Sequence, residues 1–322
     1  MARILTGVQS TGTPHLGNLL GAVLPAIELA ESSKDDSFLF IADLHSLTQI
    51  KKGETLRENT FATAATWMAC GLNIDNTHFY RQSDVSEVTE LAWYLSCFFP
   101  YKRLTLAHSF KDKSEQLADV NAGLFSYPML MAADILLYNA EIVPVGKDQL
   151  QHLEITRDVA AKFNHQMGDT FVLPQAKIQE NSQFVPGTDG EKMSKSKENT
   201  INVFLPEKEL KKQVMSIKTN SIPVKDSKDP ETCNIFAIYS LLASPTSVQA
   251  LHDKYLSGGM GYGYVKQLLL DLILERFETE RSQFNYYYEH PEEVHIALAK
   301  GAEKARKVAN EVLLSVRDKV GY

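Results

Sequence analysis

Cysteine is scarce in this sequence, and the three that occur, Cys70, Cys97 and Cys233, lie far apart. No two of them form a Cys-x-x-Cys pair, so the sequence predicts neither a disulfide framework nor a zinc site. We therefore expect no structural metal held by the protein. Because disulfides are typical of oxidising compartments, this pattern favours a cytoplasmic protein.

Long hydrophobic runs and an excess of positive charge are also missing. No apolar run approaches the roughly 20 residues that cross a bilayer, and residues 1–7 turn polar too soon for a secretory signal. A membrane partner is therefore not expected. The net charge of −7 argues against indiscriminate coating of nucleic acid, but it leaves room for a local basic surface that binds one RNA.

The N-terminal half alternates short apolar runs with helical patterns, which predicts a parallel α/β fold. Strands are expected at residues 3–6, 37–42, 78–81 and 141–145. Helices are expected at about 17–31, 54–70, 86–99 and 122–138, with a further one ending at residue 163. Pro25 lacks an N–H donor and should interrupt the first of these helices.

After Pro206 the pattern becomes entirely helical. Helices are expected at residues 207–217, 233–242, 246–256, 263–288 and 291–320. The change of character predicts two domains. One is an α/β domain over 1–205, with an inserted helical segment at about 50–125, and the other is a helical domain over 206–322.

A glycine-rich segment, Gly-Val-Gln-Ser-Thr-Gly-Thr-Pro-His-Leu-Gly-Asn, occupies residues 7–18 and joins the first strand to the first helix. Ligands of open parallel sheets bind at the carboxyl ends of strands, where helix N-termini present free N–H groups. Its glycines permit close approach to a ligand, and His15 and Asn18 can donate hydrogen bonds to phosphate oxygens. Alone, the segment is explained better as a turn with an exposed histidine, because it is neither a Gly-x-Gly-x-x-Gly nor a Walker loop.

A second loop, over residues 190–197, reads Gly-Glu-Lys-Met-Ser-Lys-Ser-Lys. Two lysines that flank serines can meet a triphosphate as mobile point charges, with the hydroxyl groups adding contacts. A lysine-rich loop is more often a solvated surface segment. The presence of both loops in one chain favours the functional interpretation over this alternative.

These two loops carry a resemblance to a known family. His15-Leu16-Gly17-Asn18 resembles the HIGH motif of class I aminoacyl-tRNA synthetases, and Lys192-Met193-Ser194-Lys195-Ser196 matches their KMSKS motif at every letter. The resemblance implies a Rossmann-like catalytic domain that uses ATP with Mg²⁺, followed by a helical domain that binds the tRNA anticodon.

The middle of the chain resembles bacterial tryptophanyl-tRNA synthetases, both over residues 126–138, Ser-Tyr-Pro-Met-Leu-Met-Ala-Ala-Asp-Ile-Leu-Leu-Tyr, and over residues 142–152. By chemistry alone, Asp134 in an apolar helix is a buried acceptor that needs a partner, and a structural hydrogen bond or ion pair would supply one. The resemblance assigns it instead to the indole N–H of tryptophan. A ligand without that donor would lose roughly 1–3 kcal/mol, which disfavours phenylalanine, whereas pocket shape must exclude tyrosine.

The resemblance also implies two sets of ligand-binding residues and a group of catalytic ones. The tryptophan site comprises Leu5, His45, Tyr127, Met131, Asp134, Val143, Val145 and Gln149. Tyr127 and Gln149 are assigned to the α-amino group, and Leu5 stands where many of these enzymes have an aromatic residue. The ATP site comprises Gln9, Ser10, Thr11, Gly17, Asn18, Gly146, Lys147, Asp148, Val185, Lys192, Met193, Ser194, Lys195 and Ser196. The catalytic residues are His15, Lys113, Lys192 and Lys195.

The implied activity is a two-step ligation with L-tryptophan, ATP and tRNA(Trp) as partners, and the implied oligomer is a homodimer. Two alternatives stay open at this point. One is a tyrosyl enzyme or another adenylate-forming transferase of the same fold. The other is a paralogue that binds tRNA or tryptophan as a regulator, although the intact motif residues argue against an inactive enzyme.

Overall fold

The computed structural model describes residues 2–32, 35–106, 120–178 and 184–322, including every side chain in these ranges except that of Asp148. Lys113, a predicted catalytic residue, lies outside the described residues. Within the described ranges, no helix has both the length and the apolar character that a membrane crossing requires.

A parallel sheet of five strands forms the centre of the N-terminal half. The strands are β1 (Arg3–Val8), β2 (Asp36–Ile41), β3 (Thr77–Arg81), β4 (Ile142–Val145) and β5 (Gln175–Ile178). Their order across the sheet is β3-β2-β1-β4-β5, and each neighbouring pair is parallel. From β1 the chain adds β2 and β3 on one side of the sheet, and then β4 and β5 on the other side. The order of the strands therefore reverses between β1 and β4, and an open α/β sheet binds its ligands at such a point. The predicted Rossmann-like fold is confirmed.

The helices of this half lie close to the predicted positions. They are α1 (the turn Leu16–Asn18, the π-helical segment Leu19–Val23 and the α-helical part Leu24–Ser32), α2 (Asp43–Ser46), α3 (Gly53–Ala69), α4 (Glu87–Phe98), α5 (Tyr101–Leu104), α6 (Ala122–Leu136) and α7 (Leu150–Met167). The segment at about 50–125, predicted as a helical insertion, also contains the edge strand β3.

The predicted interruption of the first helix takes the form of a π-helical segment. Pro25 has no N–H to give to the carbonyl group of Gly21, four residues earlier. The chain widens just before the proline, and the Leu24 N–H bonds to the Leu19 carbonyl oxygen, five residues back. Such single π-turns absorb a defect without ending the helix.

The C-terminal part is helical, as predicted. Its helices are α8 (Glu207–Met215), α9 (Asn234–Ser240), α10 (Pro245–Ser257), α11 (Tyr262–Arg276), α12 (Glu278–Glu289) and α13 (Pro291–Val320). The single helix predicted over 263–288 is wrong. It breaks at Phe277, whose backbone leaves the helical region while its ring is fully buried, so tertiary packing of that ring outweighs a continuous helical pattern.

The last helix returns to the sheet. One face of α13 carries buried small and branched residues at helical spacing, namely Ala297, Leu298, Gly301, Ala302, Ala305, Ala309, Val312, Leu313 and Val316. Gly301 meets the backbone of β3 so closely that a Cβ there would lie 1.8 Å from the Phe79 carbonyl oxygen. The helical part and the α/β part therefore share continuous apolar cores.

Candidate active site

A cavity of about 430 Å³ opens at the carboxyl ends of β1 and β4, where the sheet order reverses. Its volume lies within the range of small-molecule sites. All eight residues predicted for the tryptophan site line it: Leu5, His45, Tyr127, Met131, Asp134, Val143, Val145 and Gln149. Gln9 and Gly146, predicted for ATP, line it as well. Gly7 and Val8 of the glycine-rich segment also line the cavity. The wall is completed by residues that the sequence did not single out, namely Thr6, Gly21, Ala22, Phe40, Ala42, Ile135 and Pro144.

Asp134 lies on α6 and is 96% buried, yet its carboxylate is well supplied with hydrogen bonds. His45 Nε2 lies 2.8 Å from Asp134 Oδ2. The amide nitrogen of Gln82 lies 2.7 Å from Oδ1 and 2.9 Å from Oδ2. The carboxylate thus has the partners that a buried acceptor requires, and it still lines the cavity.

Burial raises the pKa of Asp134, and the hydrogen bonds from His45 and Gln82 act in the opposite direction. Loss of solvation favours the neutral carboxyl, whereas donors directed at the oxygens favour the carboxylate. The ionisation of Asp134 therefore depends on these neighbours. His45 contributes a second feature, because its buried Nδ1 has no hydrogen-bond partner among the described residues.

Gln82 is the most informative residue that the sequence interpretation missed. It directly follows β3, is 1% exposed, and does not itself line the cavity. A buried glutamine at the carboxyl end of a parallel strand was the available signal, since strand ends carry the functional residues of such sheets.

Gln9, Tyr127 and Gln149 give the cavity a polar rim. The Gln9 amide donates to the Tyr127 hydroxyl oxygen at 3.2 Å, and the Gln149 carbonyl oxygen lies 3.1 Å from His152 Nδ1. The Tyr127 ring meets the ring of His45 edge-on, with centroids 4.4 Å apart. The apolar floor and this rim together suit a ligand with an aromatic ring at one end and hydrogen-bonding groups at the other.

The glycine-rich segment presents its polar groups from the start of α1. The Asn18 side-chain oxygen accepts the His15 backbone N–H at 3.1 Å, which leaves the Asn18 amide NH₂ to donate elsewhere. His15 is buried, and burial, assisted by the charge of Lys195, lowers its pKa to about 4. His15 is therefore a neutral hydrogen-bonding group at pH 7. In the part of the chain that the structure describes, its buried Nδ1 has no hydrogen-bond partner.

Ser10 and Thr11 differ in their surroundings. Ser10 is fully buried, and its hydroxyl group bonds to the hydroxyl groups of Ser46, at 3.2 Å, and Thr60, at 3.1 Å. This network ties the segment to α2 and α3. Thr11 is half-buried in the adjacent turn.

The lysine-rich loop lies against the glycine-rich segment. Met193 is buried, and its sulfur lies 3.4 Å from the Gly17 backbone nitrogen. Lys195 rests on Gly12, whose φ of +136° requires glycine; a Cβ there would lie 3.1 Å from Lys195 Nζ. The two segments that the sequence separates by about 180 residues are therefore neighbours in the fold.

Asn199 holds the lysine-rich loop in shape and was also missed from sequence. Its side-chain oxygen accepts the Ser194 N–H at 2.7 Å, and its amide donates to Asp189 at 2.7 Å and to the Lys192 carbonyl oxygen at 3.2 Å. Val185, predicted to contact adenine, accepts the Met193 N–H at 2.9 Å through its own carbonyl oxygen.

Lys192 and Lys195 differ in environment. Lys192 is exposed, whereas burial lowers the pKa of Lys195 to about 8. A lysine with a depressed pKa gains most from an anionic partner, because that partner restores the charged form. Lys147 is exposed beside Gly146, and Ser196 bonds to the Ser194 hydroxyl at 2.8 Å.

Acidic metal-binding clusters are not found where the structure can be described: residues 2–32, 35–106, 120–178 and 184–322 contain no group of three or more His, Cys, Asp or Glu that could hold a metal ion. The side chain of Asp148, predicted for the ATP site, lies outside the described set.

Comparisons with known proteins bear on this site. The family model described as tRNA synthetases class I (W and Y) matches residues 1–278. The chain is 45% identical over 319 residues to the tryptophan–tRNA ligase of Campylobacter jejuni (strain RM1221), covering 99% of each. It is 46% identical over 322 residues to that of Fusobacterium nucleatum, covering 100% of this chain and 98% of the relative.

The solved structures give the same result. A crystal structure of tryptophanyl-tRNA synthetase from Campylobacter jejuni, complexed with ADP and tryptophan, superposes on the chain with a TM-score of 0.96 at 45% identity. The match covers 99% of this chain and 100% of the Campylobacter chain.

Proposed function

This chain belongs to the class I tRNA synthetases for tryptophan and tyrosine, and we propose that the cavity between β1 and β4 is its tryptophan-activating site. The activity is that of a tryptophan–tRNA ligase. L-Tryptophan reacts with ATP to give tryptophanyl-adenylate and pyrophosphate, and the tryptophanyl group then passes to tRNA(Trp). The observation that carries the assignment of the site is the buried, hydrogen-bonded Asp134 carboxylate at the edge of an apolar cavity.

The indole ring occupies the apolar part of the cavity, between Met131 and the β4 residues Val143 and Val145. Its N–H donates to Asp134, because the indole nitrogen is a donor only and an ionised carboxylate is an acceptor only. Phenylalanine would leave the acceptor without a donor, at a cost of roughly 1–3 kcal/mol. The α-amino group meets the polar rim formed by Tyr127 and Gln149.

The chemical step needs positioning and charge neutralisation rather than covalent help from the protein. A carboxylate oxygen of tryptophan forms a bond to the α-phosphorus of ATP, the bond to the bridging oxygen breaks, and pyrophosphate leaves with its electron pair. His15 and Asn18 donate hydrogen bonds to the phosphates as neutral groups. Lys195 and Lys192 neutralise the charge that grows on the leaving pyrophosphate.

Mg²⁺ enters this scheme as part of the substrate. The described residues offer no cluster of carboxylates or imidazoles for a resident ion, whereas the polyphosphate of ATP supplies oxygen ligands of the kind that Mg²⁺ prefers. The adenosine end of ATP is assigned to Gly146, Lys147 and Asp148, and adenine to the backbone near Val185.

ATP–pyrophosphate exchange, measured with each amino acid in turn, tests the proposed function. We expect exchange with tryptophan and at least a tenfold lower kcat/KM with phenylalanine, which lacks the donor for Asp134. Tyrosine-driven exchange would instead select the tyrosyl alternative. Absence of exchange with every amino acid would favour a regulatory paralogue.

The helical part is the proposed reader of the tRNA anticodon. Residues 206–322 would form this domain, and Lys211, Lys212 and Lys218 are exposed near its start, where they can contact RNA phosphates. The return of α13 to β3 joins the two parts, so the helical part is held in a fixed relation to the active site. We place the enzyme in the cytoplasm, where its tRNA is charged.

A homodimer is proposed for the assembly, with an exposed aromatic surface as its contact. Trp93 on α4 and Tyr101 on α5 are 69% and 70% exposed, and they border one groove together with Phe99, Phe125 and Met129. Contiguous exposed apolar patches mark protein interfaces, and aromatic residues are enriched in such interfaces. A two-fold contact would bury both copies of this groove at once.

Trp93→Glu should convert the dimer into a monomer, because it introduces a like charge from both copies into the proposed contact. Sedimentation equilibrium at micromolar concentration measures the mass directly. The matched control is Tyr264→Glu, which changes an aromatic residue with 52% exposure on α11 and should leave the mass unchanged. A Trp93→Glu protein that sediments like the unmodified chain would exclude this surface.

A further inference from the structure

We propose that Gln82 is a positioning residue for amino-acid specificity: it holds the Asp134 carboxylate as an oriented acceptor for the N–H of the substrate ring. The inference deepens the proposed function and rests on it. Gln82 does not line the cavity, so it acts through Asp134 and not by contact with the substrate.

The direction of the Gln82 amide is fixed by the backbone. Its side-chain oxygen accepts the N–H groups of Leu44 and His45, at 3.2 and 3.4 Å. Backbone N–H groups can only donate, so this end of the amide must be the oxygen. The NH₂ end is thereby directed at Asp134, where only an acceptor can satisfy it.

A second set of hydrogen bonds joins the segments that follow β2 and β3. The Asp43 carboxylate accepts the Ser83 N–H at 3.0 Å and the Leu44 N–H at 3.1 Å. The segment after β2 therefore donates to Gln82, and the segment after β3 donates back to Asp43. This reciprocal pairing restrains both His45 and Gln82 in the positions from which they reach Asp134.

The acceptor capacity of Asp134 is then divided between protein and ligand. A carboxylate has about four lone-pair sites. His45 uses one site on Oδ2, and the NH₂ group of Gln82 reaches both oxygens. The remaining lone-pair sites of the Asp134 carboxylate can face the cavity that this residue lines. An N–H donor of the ligand is the partner that would satisfy them.

Without Gln82, the buried carboxylate would lose the neutral donor that opposes its protonation. A protonated or rotated Asp134 is a poorer acceptor, so an indole N–H would no longer be distinguished from a ring atom that cannot donate. The phosphate-binding loops are elsewhere in the site. The loss should therefore fall on the KM for the amino acid more than on kcat.

The test is ATP–pyrophosphate exchange with tryptophan and with the analogue in which sulfur replaces the indole N–H. For Gln82→Met, we expect the ratio of kcat/KM for tryptophan to that for the analogue to fall about ten- to a hundredfold, mainly through a higher KM for tryptophan. Gln82→Leu removes the donor with a side chain of similar size that cannot hydrogen-bond at all. It should lose the same discrimination.

Asn164→Leu is the matched control, because the Asn164 oxygen also accepts two backbone N–H groups, those of Thr170 and Phe171, and none of these residues lines the cavity. Asn164→Leu should change the stability of the protein without changing the ratio of kcat/KM for tryptophan to that for the analogue. An unchanged ratio in both Gln82 variants would reduce Gln82 to a structural role and overturn the proposal. Failure of the proposed function is a different result, namely an unmodified enzyme that performs no exchange with tryptophan.

Discussion

Replacing Lys195 with alanine should lower the rate of tryptophan-dependent ATP–pyrophosphate exchange by about a hundred- to a thousandfold while the fold is retained. This is the range found when one preorganised donor to a developing negative charge is removed. Lys195 is half-buried and rests on Gly12 of the glycine-rich segment. Its ammonium group therefore lies where the two proposed phosphate-binding segments meet, and no other lysine of the loop is held in this way.

The fold should tolerate the change, because the hydrogen bonds that shape the loop come from Asn199 to the backbone of Ser194 and Lys192. Circular dichroism and the tryptophan KM should therefore stay close to those of the unmodified enzyme. Near-normal exchange in Lys195→Ala would contradict the assignment of this lysine to the leaving pyrophosphate. Lys197→Ala is the matched control, since that side chain is exposed and pairs with Glu191.

Lys195→Arg tests whether the charge of Lys195 controls how the KM for ATP depends on pH. Burial holds the pKa of Lys195 at about 8, so in the free enzyme this lysine loses its charge as the pH rises through 8. Triphosphate binding favours the charged form, and the KM for ATP should accordingly rise above pH 8. Arginine remains charged throughout this range. The Arg variant should therefore lack that rise, and identical pH profiles for the two proteins would argue against it.

The two loops illustrate how much of the site the sequence could predict. Each was ambiguous by itself, since a glycine-rich turn and a lysine-rich surface segment occur in many proteins. Together they resemble two motifs of class I aminoacyl-tRNA synthetases, and that resemblance implied an ATP site; the fold brings Gly12 and Lys195 together. All eight residues that the resemblance implied for the tryptophan site line one cavity, whereas lining residues such as Ala22 and Phe40 belong to no motif and were not singled out. That this cavity binds tryptophan stays a prediction.

Gln82 and Asn199 could not be predicted in the same way. Each is a single amide residue outside any motif, and its role exists only in the hydrogen bonds it makes across the fold. Gln82 joins the end of β3 to α2 and α6, elements whose adjacency depends on the strand order. The pattern of residues along the chain does not reveal the strand order.

Strand β5 was missed for a different physical reason. All four of its residues, Gln175–Ile178, are exposed at the edge of the sheet, so they show neither a buried apolar run nor an alternation. Its identity as a strand comes from backbone pairing with β4, and backbone hydrogen bonds leave little trace in side-chain composition. Phe277 gave the opposite error, since its apolar side chain fitted a helical pattern that its backbone does not follow.

Gly301→Ala should destabilise the protein by about 1–3 kcal/mol or more, although intrinsic helix propensity predicts a gain. In the interior of a helix, alanine is favoured over glycine by about 1 kcal/mol. Here the new Cβ would lie 1.8 Å from the Phe79 carbonyl oxygen, and that oxygen belongs to the backbone of β3, which cannot rotate away. The whole of α13 must move outward, which opens the core formed by Ala302 and Ala305.

Urea unfolding compares the midpoint of Gly301→Ala with those of the unmodified chain and of Gly263→Ala. Gly263 also lies in a helix, but a Cβ there would meet no atom within 4 Å, so this control should be neutral or slightly stabilising. Gly301→Val should be worse than Gly301→Ala because it adds volume at the same contact. If Gly301→Ala raised the midpoint as Gly263→Ala is expected to do, α13 would not lie directly on β3. Strand β3, which Gln82 directly follows, would then lack the support on which the geometry around Asp134 depends.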